Sequence, residues 1–414
     1  MTQLRLIEGL RPGMRVFQPT MANQSALLVR ELSADPERAA GVTFCGVQFP
    51  GIDTFDPLAL HPQVRQWSAF MTPGLRPGVR EGRAALVSMD YLALTRQLLN
   101  GPPMDLAIAH LSEPDADGWC SPGLSADFLP LVWPRAQRRV AHLNPLMPRL
   151  PGSFRVHVSE LDAQVVSPEP LLDFKEPVEG EIERRIGEHV AGLVRDGDTL
   201  QFGIGSVPLA LANALRQHRR LRFHGGLISG GVQTLWEAGA MHEPSRITTG
   251  VVLGSAALRS FVSELRSLWL TSVDHTHRLA ALADIPRFMA INSAVEVDLF
   301  GQVNAERMAS GLQAGPGGLP AFALGAQASP GGRLLICLPA TARGGQLSRI
   351  VPSLGAGGLC TLPRHMADVF VTEFGVADVR DLDVHRRAEA LIGIAAPEHR
   401  DTLADAWAQT GRAL

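Results

Sequence analysis

The chain has 414 residues, of which 45% are hydrophobic and 19% are charged, and its formal net charge is −3. This length predicts two domains, and the small net charge indicates neither a nucleic-acid surface nor a membrane surface. No apolar run is long enough to span a bilayer, and the N-terminal residues lack the basic and apolar regions of a signal peptide, so we expect a cytoplasmic protein.

Cysteine and lysine usage narrows the possible chemistry. None of the cysteines lies at a metal-binding spacing, and none needs to form a disulfide in a reducing compartment; they are Cys45, Cys120, Cys337 and Cys360. Lys175 is the only lysine, so any Schiff-base mechanism would depend on it. It lies in the proline-rich, charged stretch 167–179, which we interpret as the crossing between two domains.

The first part of the chain alternates predicted strands with predicted helices. Apolar runs predict strands at 41–45, 84–88, 104–110 and 139–143, and apolar spacing predicts a helix at 91–99. This alternation favours a mostly parallel sheet that is covered by helices on both faces.

A repeat connects the two parts of the chain. Gly13 lies in a turn that leads into a short strand, a loop and a helix beginning at Ala26. Gly197, which is 184 residues further on, leads into the same succession, with the helix around Ala210. From this repeat we infer two related α/β halves.

The second of these turns is rich in glycine. A predicted strand enters Gly203 and Gly205, and a predicted helix begins near Val207 and Pro208. Glycines between a strand end and a helix start bring backbone N–H groups close to an anion. A dinucleotide-binding turn would need its third glycine where Pro208 stands, so that alternative lacks part of its fingerprint.

Two histidines follow the apolar residues 270–273. His275 and His277 alternate, and alternate residues of a strand share a face, which is one way to build a metal site. No third ligand is evident nearby, so we predict no metal.

The predicted strand that begins at Phe288 and ends at Gly301 contains a carboxylate. Glu296 lies inside it, near the small residues Ser293 and Ala294. A buried ionised carboxylate is costly unless something compensates for it, and catalysis is a common reason to keep one. Two interpretations stay open: Glu296 faces outward and pairs with an arginine, or a ligand reaches it past its small neighbours.

Two further features follow. The glycine-rich segment 315–318 is either a flexible surface turn or a source of N–H donors, from Gly317 and Gly318, for a developing oxyanion. Glu373 follows a predicted strand, where it either orients reacting groups or serves as a helix cap or an arginine partner.

The run Ile291–Glu306, INSAVEVDLFGQVNAE, resembles the nucleophile segment of the acetyl-CoA hydrolase/transferase family. Similarity to the family also appears at 201–208 and 371–377, and the order of the matches extends over nearly the whole chain. The resemblance implies that Glu296 is a nucleophile that becomes a glutamyl-CoA thioester. It also implies two related open-sheet α/β domains of the CoA-transferase (NagB/RpiA-like) type, at residues 1–178 and 179–414.

The resemblance also implies a CoA-binding set. It consists of Val273, Asp274, His275, Thr276, His277, Gly203 and Gly205. The family pattern "Val-Asp-Tyr-x-Asn" has tyrosine and asparagine where His275 and His277 stand, so the assignment there is by position.

Other departures affect the expected specificity. Gly225 and Gly226 stand where members commonly read "His-x-Glu-Met", so a carboxylate that is usual near the active site is absent. Leu319 and Ala321 replace a glutamine and an aspartate of the family pattern. These changes leave the acid specificity open.

The implied activity moves CoA between a short-chain acyl-CoA and a carboxylic acid of the acetate, butyrate or 4-hydroxybutyrate type. CoA is the co-substrate, no cofactor is tightly bound, and the family implies a homodimer. If water reaches the thioester, the same residues give an acyl-CoA hydrolase. A non-enzymatic acyl-CoA binder with this fold is an alternative of another class, and a dinucleotide oxidoreductase is disfavoured by Pro208.

Overall fold

A computed structural model describes residues 4–355 and 357–412. The first three residues of the N-terminal segment, on which the signal-peptide prediction partly rests, lie outside this range. Within it, every helix is too short or too polar to cross a membrane.

Helices connect most of the strands in both parts of the chain. The α-helices are α1 Ala26–Ala34, α2 Leu75–Arg80, α3 Tyr91–Asn100, α4 Leu129–Val132, α5 Glu181–Ala191, α6 Ser206–Ala214, α7 Gly230–Glu237, α8 Ala256–Glu264, α9 Val273–Thr276, α10 Leu279–Ala283, α11 Leu319–Ala328, α12 Val384–Gly393 and α13 Pro397–Gly411. Short 3-10 helices lie at Leu6–Gly9, Met21–Asn23, Pro36–Ala39, Pro57–Ala59, Trp133–Arg135 and Val158–Glu160.

The strands are two to seven residues long. They are β1 Arg15–Phe17, β2 Thr43–Cys45, β3 Arg65–Ser68, β4 Ala84–Leu86, β5 Leu106–Ser112, β6 Trp119–Cys120, β7 Arg138–Asn144, β8 Val156–His157, β9 Ala163–Val166, β10 Thr199–Phe202, β11 Arg222–His224, β12 Leu227–Ile228, β13 Ile247–Thr249, β14 Val251–Val252, β15 Leu268–Leu270, β16 Phe288–Ser293, β17 Glu296–Asp298, β18 Val303–Asn304, β19 Arg307–Met308, β20 Gly311–Leu312, β21 Arg333–Cys337, β22 Thr341–Ala342, β23 Leu347–Ser348, β24 Ile350–Val351, β25 Val369–Thr372 and β26 Gly375–Asp378.

The four strands and the helix predicted for the first part of the chain are confirmed. They correspond to β2, β4, β5, β7 and α3, and each end lies within two residues of its prediction. The helix α3 begins where Asp90 accepts a hydrogen bond from the Ala93 N–H at 2.8 Å, which satisfies one of the unpaired donors of the first turn. The α/β fold class predicted from the alternation is likewise confirmed.

The chain forms two compact units. The first contains the chain as far as Lys175, together with Ile247–Thr276 and Gln313–Gly317. The second contains Glu176–Arg246, His277–Leu312 and the chain from Gly318 onward. The division into domains at residues 178 and 179 stays a prediction, and it differs from the compact units because two later segments cluster with the first unit.

The first unit is built on a seven-stranded sheet in the order β4-β3-β2-β1-β5-β7-β9. All of its pairings are parallel. The strand order reverses between β1 and β5, and such a reversal is where open parallel sheets usually bind ligands. All seven residues of β5 are buried, as expected for a strand that is covered on both faces.

The second unit repeats this arrangement. Its strands run in the order β11-β10-β16-β21-β25-β26, and only the last pairing is antiparallel. The strand β10 lies at a reversal of strand order, as β1 does. Gly13 and Gly197 precede these two strands with φ of 86° and 82°, a conformation that glycine adopts without strain. In each unit a turn of this kind therefore leads into the strand at the reversal of strand order, as the predicted repeat requires.

A small polar cavity of about 30 Å³ lies near the carboxyl ends of β1 and β5 in the first unit, with His110 and Asp127 in its lining. The Asn144 amide donates to His110 Nε2 at 3.0 Å, so His110 Nδ1 carries the proton and donates to the Asn23 carbonyl oxygen at 3.1 Å. Burial, followed by the neighbouring His142, lowers the pKa of His110 to about 3. The imidazole is therefore neutral at physiological pH.

Asp127 shares this cavity and has a left-handed backbone, with φ of 30°. Burial raises the pKa of its carboxyl group to about 7. An unfolded aspartate titrates near about 3.9, so the folded chain binds a proton at pH values where the unfolded chain has released it. The resulting stabilisation is complete below about pH 4 and is lost as the pH rises through about 7.

We predict that Asp127→Asn removes this pH dependence. Asparagine has the same shape, tolerates a left-handed backbone and stays neutral. Between pH 5 and pH 8 the free energy of unfolding of the wild type should fall by on the order of 2 kcal/mol relative to the variant. Urea unfolding curves across this range measure the difference.

Asp117→Asn is the matched control, because Asp117 is an exposed aspartate of the same unit. Its stability should follow that of the wild type across the series. An unfolding free-energy difference between Asp127→Asn and the wild type that does not change with pH would contradict the prediction.

Candidate active site

The prediction of one continuous strand from Phe288 to Gly301 is wrong. The strand β16 ends at Ser293, and the chain then changes its hydrogen-bonding partners. Ala294 N–H donates to the Cys337 carbonyl of β21 at 3.3 Å, whereas Val295 N–H donates to the Asn304 carbonyl at 2.8 Å. Glu296 therefore begins a separate strand, β17, at the carboxyl end of a central strand.

The strand β17 belongs to a three-stranded sheet of the second unit, in the order β18-β17-β24. Buried Asp298 closes the turn after it by accepting from the N–H groups of Phe300 and Gln302 and from the Gln302 amide. Gly301 provides the positive φ of 88° that this turn requires. The turn sets the antiparallel register in which Glu296 lies opposite Asn304.

Asn304 holds the carboxylate of Glu296. Its Nδ2 donates to Glu296 Oε1 at 2.9 Å and to the Arg307 carbonyl oxygen at 2.8 Å. Asn304 is 1% exposed, whereas Glu296 is half-buried. Glu296 forms no ion pair within the described residues. The interpretation in which it pairs with an arginine on an edge strand is therefore wrong.

Glu296 lines a cavity of about 420 Å³ in the second unit. This volume lies within the range of roughly 300–1,000 Å³ typical of small-molecule sites. Among the described lining residues Glu296 is the one acid, and it is accompanied by Arg307, Arg343 and Arg349. The cavity thus has an excess of positive charge, which favours anionic ligands.

Arg349 is the arginine whose contacts tie it most closely to the Glu296 strand. Its Nη1 donates to the carbonyl oxygen of Val295 at 3.2 Å, and its backbone carbonyl accepts from Val297 N–H at 2.9 Å. Its Nε is buried without a hydrogen-bond partner among the described residues. Arg349 therefore has donor capacity that the protein itself does not use.

Glu373 supports this region from outside the cavity lining. It is 8% exposed and lies in the turn between β25 and β26. Its Oε2 accepts from Ala340 N–H at 2.8 Å, and the Ala340 carbonyl oxygen accepts from Arg349 N–H at 2.9 Å. Glu373 is thus connected to the cavity through the backbone of Ala340, and neither a helix cap nor an arginine partner is its role here.

Gly203 and Gly205 lie in the second unit between β10 and α6, as predicted. Gly205 has φ of 124° and precedes the first residue of α6. A side chain at Gly203 would meet no atom within 4 Å, so its backbone borders open space. The strand β10 pairs with β16, with Phe202 opposite Ile291, which places this turn at the same sheet edge as the end of β16.

Gly318, His277 and Gly226 form a tight cluster in the second unit. A Cβ atom at Gly318 would clash with His277 Nε2, and one at Gly226 would lie 2.8 Å from His277 Cε1. The imidazole is 2% exposed, and its centroid is 4.4 Å from that of the Phe322 ring. His277 therefore fills the space that a side chain at position 226 would need.

The remaining predicted site residues belong to the first unit. Val273–Thr276 is the short helix α9, whose first N–H donates to the Asp127 carbonyl oxygen at 2.9 Å. The metal-site alternative for His275 and His277 assumed that both residues lie in one strand. Because Val273–Thr276 is helical, this assumption is wrong. Gly317 has φ of 57°, and its carbonyl oxygen accepts from Tyr91 N–H at 3.0 Å. Across residues 4–355 and 357–412, no three His, Cys, Asp or Glu side chains are grouped so that they could hold a metal ion.

The structure thus shows one predicted residue, Glu296, in the lining of the charged cavity, and it adds residues that the sequence reasoning did not single out. Asn304 and Arg349 are the main additions. Asn304 lies eight residues after Glu296 and comes opposite it only through the register that the turn sets. Arg349 lies 53 residues after Glu296, and no local pattern connects the two.

Comparisons with known proteins identify the family and relatives that this chain resembles. Residues 254–407 match the acetyl-CoA hydrolase/transferase C-terminal domain. The chain is 38% identical over 307 residues to the 4-hydroxybutyrate coenzyme A transferase of Clostridium kluyveri, covering 73% of this chain and 72% of that protein. It is 31% identical over 401 residues to the succinyl-CoA:cyclohexane-1-carboxylate CoA transferase of Geobacter metallireducens, covering 95% and 91% respectively.

A solved structure also shows similarity to a CoA-transferase. The crystal structure of a 4-hydroxybutyrate CoA-transferase from Porphyromonas gingivalis superimposes with a TM-score of 0.82 at 28% identity, over 98% of this chain and 97% of that one. The two relatives are 38% and 31% identical over 73% and 95% of this chain, which shows membership of one family and not only a common fold. The chain therefore belongs to the acetyl-CoA hydrolase/transferase family and is a CoA-transferase.

Proposed function

We propose that this enzyme moves CoA between a short-chain acyl-CoA and a carboxylic acid through a thioester on Glu296. One observation carries the proposal. Glu296 is a half-buried carboxylate, held by an amide and free of ion pairs within the described residues, and it lines a positively charged cavity of about 420 Å³. A carboxylate in this setting is oriented without being neutralised.

The proposed reaction has two covalent intermediates. An oxygen of Glu296 attacks the thioester carbonyl, the C–S bond breaks, and an acyl–glutamyl anhydride and CoA thiolate result. The thiolate then attacks the Glu296 carbonyl, the bond to the acyl carboxylate breaks, and the free acid leaves. An incoming carboxylate reverses these steps and departs as the new acyl-CoA. Neither a proton nor a metal is consumed, because thioester is exchanged for thioester.

Partial burial is what makes a weak nucleophile effective in this scheme. A carboxylate in bulk water is strongly solvated, and a cavity that replaces this water with fixed donors lowers the cost of attack. The backbone N–H groups of Gly317 and Gly318 are our proposed donors to the oxyanion that forms on the acyl group. Glu373 is a proposed positioning residue, which acts through Ala340 on Arg349.

The positive charge of the cavity supports anionic substrates. CoA carries phosphates and the acid carries a carboxylate, and both suit guanidinium donors. Arg349 lines the cavity and has no ion-pair partner among the described residues, and we propose that it helps to hold an anionic substrate group. For the remainder of CoA we propose the turn at Gly203 and Gly205 and the segment 273–277.

The acid is of the acetate, butyrate or 4-hydroxybutyrate type in our proposal. The name of one relative supports this class because it specifies 4-hydroxybutyrate, whereas another relative is named for cyclohexane-1-carboxylate. CoA serves as co-substrate and no cofactor is tightly bound. A cytoplasmic location and a homodimeric state also remain parts of the proposal.

We predict that Glu296→Gln abolishes transfer. The amide keeps an oxygen that can accept from Asn304, so the hairpin should persist, but the nucleophile is lost. The rate should fall by at least about 10⁴-fold, as is typical when a covalent nucleophile is removed. The measurement is acyl-CoA formation with acetate, butyrate or succinate as the acceptor.

The control and the trapping experiment complete this test. Glu306→Gln changes a nearby half-buried acid whose Oε1 accepts from the Thr361 hydroxyl at 2.8 Å, and it should keep a rate within about threefold of the wild type. Wild-type protein incubated with acetyl-CoA and treated with borohydride or hydroxylamine should be modified at Glu296, as mass spectrometry would show. Full activity of Glu296→Gln would refute the covalent route, and thioester loss that needs no acceptor acid would identify a hydrolase.

We predict that Arg349→Gln weakens substrate binding. The change removes a cation from the cavity and the donor to Val295, so KM for the anionic substrates should rise by about tenfold, the loss expected for one charge-assisted hydrogen bond. The effect should shrink at high salt if the lost interaction is electrostatic. Steady-state kinetics at two ionic strengths measure both changes.

Arg386→Gln serves as the matched control. Arg386 is an exposed arginine of the same unit, with Asp383 as its ion-pair partner at 3.6 Å. Its replacement changes the net charge equally but leaves the cavity intact. Equal rises in KM for the two variants would mean that overall charge, and not Arg349, is responsible.

A further inference from the structure

The orientation of the Asn304 side chain is fixed by its own backbone neighbours. Its Oδ1 accepts from the N–H groups of Glu306 at 3.1 Å and Arg307 at 2.9 Å. Only an oxygen can accept from these two donors, so the other end of the amide must be the Nδ2 group. That group then has to donate toward the Arg307 carbonyl oxygen and Glu296 Oε1.

This arrangement makes the two oxygens of Glu296 inequivalent. Oε1 accepts the Asn304 hydrogen bond, while Oε2 has no hydrogen-bond or ion-pair partner among the described residues. A lone pair that is engaged in a hydrogen bond is a poorer nucleophile than a free one. In the proposed reaction Oε2 is therefore the attacking oxygen, and Oε1 remains as the carbonyl oxygen of the anhydride and of the thioester.

We propose that Asn304 is a catalytic residue that stabilises the oxyanion formed on Glu296 itself. The proposal rests on the proposed function, because it requires Glu296 to become an acyl group. When the CoA thiolate attacks the Glu296 carbonyl carbon, a C–S bond forms and the carbonyl electron pair moves onto Oε1. The tetrahedral species collapses when the bond from carbon to Oε2 breaks, and Oε2 leaves with the acyl group as a free carboxylate.

The geometry favours Asn304 for this task. Its Nδ2 is already 2.9 Å from the atom on which the charge develops, within the range expected of an oxyanion donor. The amide is almost fully buried and is held by three hydrogen bonds besides the one to Glu296, so it needs no reorganisation during the reaction. Buried donors of this kind act in a low dielectric, where they are more effective than water.

The same donor serves both directions of transfer. The incoming carboxylate attacks the glutamyl thioester at the same carbon, and the charge again develops on Oε1. Asn304 should therefore increase the rates at which the thioester forms and is consumed, whereas its effect on substrate binding should be small.

The test is the Asn304→Asp variant. A carboxylate at this position can still accept from the N–H groups of Glu306 and Arg307, but in its ionised form it places a second anion beside Glu296 in place of the donor. We expect the single-turnover rate of glutamyl-CoA formation from acetyl-CoA, trapped and mapped at Glu296, to fall by about 10²–10³-fold, as for other oxyanion donors. The KM for acetyl-CoA should stay within about threefold, because binding is not the step that Asn304 assists.

Gln302→Met is the matched control. Gln302 lies in the same hairpin, and its amide donates to Asp298 at 2.7 Å, so the variant loosens the turn without touching Glu296. It should keep a single-turnover rate close to that of the wild type. An equal loss of rate in both variants would assign the effect to the hairpin and overturn the role of Asn304.

The remaining outcomes separate the two proposals. If wild-type Glu296 is labelled and Asn304→Asp forms the thioester within about threefold of the wild-type rate, the Asn304 role is wrong and the Glu296 proposal stands. A large rise in KM at unchanged kcat would likewise overturn the role of Asn304 in the chemical step. If wild-type Glu296 is never labelled and Glu296→Gln stays active, both proposals are wrong.

Discussion

The proposed chemistry of the active site depends on keeping a carboxylate partly out of water without pairing it to a cation. A direct arginine partner would stabilise the charge of Glu296 and reduce its nucleophilicity, whereas full exposure would leave it solvated. Here a neutral amide donates to one carboxylate oxygen, and three guanidinium groups line the same cavity without forming an ion pair with the carboxylate. This balance orients the charge and attracts anions while leaving one oxygen free.

The backbone makes this balance possible through the change of strand partners after β16. As far as Ile291 the chain is a buried strand of a parallel sheet, and a carboxylate there would have no route to a ligand. From Val295 onward it pairs with β18 and β24, which bring Asn304 and the Arg349 segment to either side of Glu296. The apolar strand supplies rigidity, and the short sheet beyond it supplies the functional groups.

Much of the fold and the key carboxylate could be predicted from the sequence, because both leave local signals. Alternating apolar runs predicted β2, β4, β5 and β7 closely, and a carboxylate among small and apolar residues marked Glu296. The end of β16 was missed because residues 288–301 are apolar enough to be read as one strand. Periodicity records which residues are buried, but it does not record which strand they pair with.

The contacts that complete the site could not be predicted for a related reason. Asn304 carries no local sign of its partner, since its role depends on a turn that sets the register of two strands. Arg349 and Glu373 meet through Ala340, and these positions lie on separate elements. Such contacts follow from the packing of distant segments, which a single sequence specifies only through the whole fold.

The departures at Gly226 and His277 show why positions should be interpreted in pairs. Taken alone, Gly226 is the loss of a carboxylate that the family usually has, and His277 is the exchange of an asparagine for a larger ring. In the structure they are one packing change, because the imidazole lies where a side chain at position 226 would be, at 2.8 Å from its Cβ. A glutamate at position 226 would therefore require the His277 side chain to shift, and the acid specificity of this enzyme has to be explained with the imidazole in place.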